Sequence, residues 1–507
     1  MATHDSNDHD LRRRIAPLVM SGSEFRRLGY QVIDAMAELM ESLPERPVTT
    51  GARPREIRAL LDNNSLPEQG TAAEELLHEA MQLLSNRSLF NGHPRFMGYI
   101  TSSAAPIGAL ASLIAAVVNP NVGGWELSPM ASEIEVQTIR WIAELIGFPA
   151  DCGGLLTSGG NVGNFVGFLT ARRARAPWDL RANGLRDQPQ LVAYGSQDTH
   201  TWINKAADLF GLGTGAVRRI ALDKQRRMDL DDLRTQIEQD IRNGCRPFLV
   251  VGAAGTVTVG AVDPLPEIAA ICREHNLWFH VDGAYGAPAA ILLDAHADLK
   301  GLSEADSIAL DPHKWLYSPL EAGCTLVRNR QHMINAFSFH PDYYKFDDES
   351  EEPGINYYEF GLQNSRGFRA LKVWLALRMV GRDGYRRMIG DDIKLAQALF
   401  EAAKARPDLQ TFTRNLSIAT FRYAPEGLRD ATDESESYLN SLNTALLDRL
   451  QRGGEAFVSN AVIDGKYVLR ACIVNFNTTL EDVESLPHIV ARLGSELHAS
   501  MQPLATH

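Results

Sequence analysis

Cysteine is scarce in this 507-residue chain and never paired in sequence. The five residues, Cys152, Cys245, Cys272, Cys324 and Cys472, form no CxxC motif. That spacing supports neither a zinc ribbon nor a disulfide framework, predicts no metal site, and fits a reducing, cytoplasmic compartment. Long hydrophobic runs are also missing. The longest, 106–118, is broken by Gly108 and Ser112 and falls short of the roughly 20 residues that cross a bilayer. The first 14 residues lack the apolar core of a signal peptide. Positive charge is in deficit. Lys and Arg total 50 against 63 Asp and Glu, a formal charge of −13, which disfavours a nucleic-acid role. With 45% hydrophobic and 22% charged residues, the composition is that of a globular enzyme.

Periodicity then divides the chain. Ser21-Gly22-Ser23-Glu24 reads as a capping box opening a helix, with Phe25, Leu28, Val32, Met36 and Leu39 on one stripe. A second helical pattern covers 72–84, so 1–105 is expected to be an N-terminal helical dimerisation segment. From 106 to 394, apolar runs alternate with helical patterns. Strands are expected at 190–194, 217–222, 248–251 and 277–281, with helices at 229–242 and 265–275. This rhythm is that of a mostly parallel sheet wrapped by helices. A long helix at 368–388 leads out. The remainder, 395–507, reads as a small α+β domain. Its strands are expected at 417–423, 456–459 and 467–474, and its helices at 437–452 and 480–497, the last capped by Thr478 and Glu481. The acidic run Asp347-Asp348-Glu349, continued by Glu351-Glu352, reads as a solvated loop.

Four segments carry chemistry. Thr157-Ser158-Gly159-Gly160-Asn161 enters a helix, and its small residues let backbone N–H groups approach an anion, although the GxGxxG order is not met. His200 follows an expected strand. Phe279-His280-Val281-Asp282-Gly283-Ala284-Tyr285 places a carboxylate at a strand end, where open α/β sheets bind ligands. Ala309-Leu310-Asp311-Pro312-His313-Lys314-Trp315 places a lysine beside a histidine after an apolar strand, a candidate Schiff-base lysine. Each is unremarkable alone. In this order they match the needs of pyridoxal phosphate: a helix N-terminus for the phosphate, an Asp for the ring nitrogen, a Lys for the aldehyde and an imidazole over the ring.

The sequence resembles the group II pyridoxal-phosphate decarboxylases, and among them the aromatic-L-amino-acid decarboxylase branch, from about Ser21 to its end. Support also comes from Gly255-Thr256-Val257-Thr258-Val259-Gly260-Ala261-Val262-Asp263, from Ser128-Pro129 ahead of Glu133-Ile134-Glu135, and from Arg369-Ala370-Leu371-Lys372-Val373-Trp374. The resemblance implies a fold type I, aspartate aminotransferase-like architecture and a homodimer. It implies the cofactor covalently on Lys314, with Asp282 at the ring nitrogen and Ala284 against the ring. His200 would stack on the ring, and Thr256 would lie near the 3-hydroxyl. Gly160, Asn161 and His313 would contact the phosphate, with Asp311 nearby. Counting back from Phe368-Arg369 places Tyr357 on the family's mobile-loop tyrosine, the proton donor; Tyr343, Tyr344 and Tyr358 are its neighbours. Tyr99, Asn121 and Gly123 match substrate-pocket positions, the last two being positions that the neighbouring subunit contributes in the family.

Three departures stand out. Asp311 replaces a common Asn, Arg366-Gly367 replaces two arginines, and Asn121 and Gly123 replace bulky apolar residues. Decarboxylation of an aromatic L-amino acid is the expected reaction. A glutamate or other acidic- or small-substrate decarboxylase, and an aldehyde synthase, are the alternatives. The acidic loop disfavours acidic substrates.

Overall fold

The computed structural model describes residues 16–61, 65–339, 354–429 and 432–501. The chain divides into two compact units, Met1–Phe90 and Asn91–His507.

The first unit contains the helices Gly22–Ser42 and Ala73–Arg87. Ser21 Oγ caps the first by accepting the Glu24 N–H at 3.1 Å. Arg27 on that helix pairs with Glu74 on the other at 2.8 Å. Only part of the apolar stripe is covered: Leu28 is buried, Val32, Met36 and Leu39 are half-buried, and Phe25 stays exposed.

The second unit holds two sheets. Seven strands form the larger: β1 (Gly153–Thr157), β2 (Leu191–Ser196), β3 (Val217–Ile220), β4 (Arg246–Ala253), β5 (Trp278–Asp282), β6 (Ser307–Leu310) and β7 (Gly323–Val327). Their order is β1-β7-β6-β5-β4-β2-β3. From β3 through β2, β4 and β5 to β6 every pairing is parallel. β7 is antiparallel to both β6 and β1, so β1 runs in the same direction as β6. β1, β2, β4, β5 and β6 therefore end at one edge. All five residues of β1 are buried, and so are the four of β6, as expected for strands covered on both faces.

The smaller sheet is antiparallel, in the order β10-β11-β9-β8. Its strands are β8 (Leu409–Asn415), β9 (Ile418–Tyr423), β10 (Ser459–Ile463) and β11 (Lys466–Cys472). Sequence pattern found β9 and β11, set β10 a few residues early and missed β8. The helix Leu480–Met501 is capped one residue later than expected, by Thr479 and Asp482, because Thr478 Oγ1 donates instead to the Pro94 carbonyl. The expected domain boundary at 394 falls inside the helix Ala370–Lys404, which kinks at Gly381. Residues 91–105 belong to this unit as well: Met97 exchanges backbone hydrogen bonds with Phe457 and Cys472. Among the described residues no helix is long and apolar enough to cross a membrane.

Candidate active site

The shared edge of the large sheet opens into a cavity of about 350 Å³. Brought together there are Gly160 and Asn161 beyond β1, His200 beyond β2, Thr256 beyond β4, Asp282 and Ala284 at the end of β5, and Asp311, His313 and Lys314 beyond β6. These are all the residues expected around the cofactor, drawn from 155 positions of sequence (160 to 314) onto one wall by parallel topology.

Local interactions fix each group. Gly159 has φ +122, a conformation that favours glycine, and starts the helix Gly160–Arg175 without a side-chain cap. A Cβ on Gly160 would lie 2.7 Å from Asp311 Oδ2, so only glycine leaves the helix N-terminus open beside that carboxylate. The free N–H groups there are suited to an anion. Asp282 accepts the Trp202 indole N–H at 2.7 Å on one oxygen and the Ala284 N–H at 3.2 Å on the other. His280, two residues earlier on the same face of β5, is fully buried. Its Nε2–H donates to Asn164 Oδ1 and its Nδ1 accepts from Ser307, both at 2.7 Å. Burial pushes its pKa down to about 4, so it is a neutral structural ring.

His200 also favours the neutral form. Burial lowers its pKa, and Asp282 only partly opposes this. Its Nδ1 accepts the Trp202 N–H at 3.3 Å. His313 donates its Nδ1–H to the Ala322 carbonyl at 2.7 Å, and burial lowers its pKa too. Lys314 Nζ lies 3.0 Å from Asp311 Oδ2, and the lysine side chain keeps 20% of its exposure. The other Asp311 oxygen is buried with no hydrogen-bond partner. Thr256 Oγ1 accepts the Ala261 N–H at 3.1 Å inside the turn that follows β4.

Four expected residues lie elsewhere. Tyr99, with φ +52, is 53% exposed and does not line the cavity. Asn121 Oδ1 is engaged by the Gly123 and Arg366 N–H groups, and a Cβ on Gly123 would lie 2.0 Å from the Asn364 carbonyl oxygen. Tyr357 requires a correction. It is 1% exposed, sits under the Arg366 guanidinium at 4.6 Å and does not line the cavity. It is part of the packed core rather than of a mobile loop. Tyr343, Tyr344 and the acidic run Asp347 to Glu352 fall outside the described residues.

Sequence reasoning missed Trp202, Asn164, Asp198 and Tyr285. The last three line the cavity; Asn164 also holds His280, and Trp202 holds Asp282. The available signal was position: Asp198 and Trp202 stand two residues either side of His200, and Tyr285 ends the segment that carries Asp282.

The residues therefore fit a phosphorylated pyridine aldehyde: an open helix N-terminus, a carboxylate held for a ring nitrogen, a neutral imidazole and an accessible lysine. Comparison with known proteins agrees. Residues 54–424 match the pyridoxal-dependent decarboxylase conserved domain. The chain is 34% identical over 489 residues to an aromatic-L-amino-acid decarboxylase of Bacillus atrophaeus, covering 95% of this chain and 98% of that one. Mouse CSAD superposes with a TM-score of 0.88 at 26% identity, over 94% of this chain and 99% of that one. Oryza sativa TDC, solved with PLP and tryptamine, superposes at 0.87 over 96% and 100%; at 24% identity it shows the fold. With its fold type I architecture and this cavity, the chain belongs to the pyridoxal-dependent decarboxylase family and is a pyridoxal-phosphate-dependent amino acid decarboxylase.

Proposed function

We propose that this enzyme removes the α-carboxyl group of an aromatic L-amino acid, giving the amine and carbon dioxide. Lys314 is the residue that would hold the cofactor covalently. Asp282 keeps a proton on the ring nitrogen, and Trp202 and the Ala284 N–H hold that carboxylate in place. His200 would cover the ring, Ala284 would pack against it and Thr256 would lie by its 3-hydroxyl. The first N–H groups of the helix Gly160–Arg175, Asn161 and His313 hold the phosphate, and Asp311 retains the Lys314 ammonium when it is free. Bound there, the cofactor supplies an electron sink for the pair left by the departing carboxylate.

The lining of the cavity carries the choice of substrate. Lys314 is the only Lys or Arg among the described lining residues, and it is committed to the cofactor and to Asp311. A second substrate carboxylate would find no free cation among those residues. Val257, Leu320 and Tyr285 provide apolar surface instead. The relatives' names point the same way. A panel of Trp, Tyr, Phe, dihydroxyphenylalanine, His and Glu, scored for amine, tests the reading. Amine from an aromatic member supports it. Preference for Glu, or aldehyde in place of amine, contradicts it.

The active form is proposed to be a homodimer in the cytoplasm, with the segment around Asn121 reaching the neighbour's cavity. Leu110, Leu113, Ile114, Val117 and Val118 line an exposed apolar face of the helix Pro106–Val118, and such faces mark interfaces. All five cysteines are free thiols, in keeping with a reducing compartment. A monomer by light scattering with full activity would refute the dimer.

A further inference from the structure

Behind the residues that follow the lysine lies a buried carboxylate that the reaction does not use. Asp392, on the helix Ala370–Lys404, is 3% exposed and forms no ion pair among the described residues. One of its oxygens, Oδ2, accepts two hydrogen bonds: from the Trp315 indole N–H at 2.8 Å and from the Tyr317 hydroxyl at 2.7 Å. Burial pushes its pKa up to about 7, partly opposed by these two donors. Isolated carboxylates are not buried without cost, so the position calls for an explanation.

Its two donors flank the lysine's turn. Trp315 follows Lys314 directly and stacks on Tyr285 at 4.8 Å. Tyr285 lines the cavity, and its hydroxyl is hydrogen-bonded to Ser417. Tyr317 has φ +54, a left-handed conformation that a tyrosine keeps only when its surroundings fix it. Its N–H donates to the Lys314 carbonyl at 3.2 Å, closing the turn, and its own carbonyl accepts the Ala105 N–H at 2.8 Å. Its ring stacks on Tyr385 at 6.4 Å. The hydroxyl at the far end of that ring is what Asp392 holds.

We propose that Asp392 is a positioning residue for Lys314, which by anchoring Trp315 and Tyr317 fixes the turn that presents the lysine amine to the cavity. It touches neither substrate nor cofactor. The inference rests on the assignment of Lys314 as the cofactor lysine. An indole N–H can only donate, so the anchor must be an acceptor. An amide at 392 keeps an oxygen with two lone pairs for both donors, whereas an aliphatic side chain strands both.

Three holoenzyme variants test this: Asp392→Asn, Asp392→Leu and Tyr317→Phe. For each, the loss of cofactor into a carbonyl-trapping buffer is followed by absorbance, kcat and KM are separated, and the melting temperature is recorded. Misplacement by an ångström costs on the order of a hundredfold in rate. Asp392→Leu should therefore lose cofactor faster and drop kcat roughly tenfold to a hundredfold, with KM nearly unchanged. Tyr317→Phe should move both in the same direction by less, and Asp392→Asn should restore both to within about threefold of wild type. Should the Leu variant fail to fold, the Tyr317→Phe and Asn pair carries the comparison. Wild-type cofactor loss and kcat in folded Leu and Phe variants, or no restoration by Asn, overturns the inference. Reductive trapping on wild-type enzyme separates the two claims: label on a lysine other than Lys314 refutes the assignment beneath it, whereas label on Lys314 leaves the variants to decide.

Discussion

Two of the carboxylate–cation pairs in the second unit do different work. Asp311 and Lys314 face the cavity. Glu135 and Arg366 are fully enclosed: Arg366 also donates to the Val122 and Leu156 carbonyls, Glu135 accepts the Leu156 N–H, and the guanidinium covers Tyr357. Both pairs use residue types that chemistry favours. Only the first has open space beside it. Access to the cavity, rather than residue type, separates reactive groups from structural ones here.

That contrast is open to attack at several strengths. Arg366→Met leaves Glu135 buried and unpaired, and should cost about 3–5 kcal/mol in denaturant unfolding. A loss below about 1 kcal/mol would mean that the enclosed pair is not structural. On the cavity side, Asp282→Asn should weaken cofactor retention and slow turnover by roughly a hundredfold. Its unfolding free energy should shift by less than about 1 kcal/mol. Near-normal turnover would remove Asp282 from the ring nitrogen.

A smaller effect concerns pH. His280 has its pKa depressed on folding, to about 4. Its neutral form therefore contributes stability that is present above the unfolded value of about 6.5 and is lost as pH falls through about 4. His280→Asn should reduce the acid loss of stability across that window by up to about 3 kcal/mol, read from melting curves between roughly pH 4 and 7. Asp263 has the opposite sign. Burial raises it to about 7, so its contribution is present below the unfolded value of about 3.9 and is lost as pH rises through about 7. The smallest effect is expected at Tyr357. Its hydroxyl is buried without a partner, so Tyr357→Phe should leave kcat unchanged and stability equal or higher by up to about 1 kcal/mol. A collapse of kcat would return Tyr357 to the reaction.

The cavity was legible because its parts are short local strings. Asp311-Pro312-His313-Lys314, His280-Val281-Asp282 and Ser158-Gly159-Gly160 each join a strand end to a turn, and parallel topology gathers strand ends. Tyr357 was misread because counting back from Phe368 fixes a position along the chain but says nothing of Arg366 folding over the ring. β1, with Gly153 and Gly154, has too little β-propensity to declare itself; it is a strand because β7 pairs with all five of its residues. Trp202, Asn164 and Asp392 act across 80, 116 and 77 positions of sequence, distances that no local pattern encodes.

The central claim is that Lys314 carries the cofactor. Borohydride reduction of the holoenzyme, followed by peptide mapping, tests it most directly. The account predicts the pyridoxyl group on the peptide containing Asp311-Pro312-His313-Lys314, and a Lys314→Ala protein that folds but takes no label. Label on another lysine, or a Lys314→Ala protein that still traps the cofactor and turns over, would contradict it.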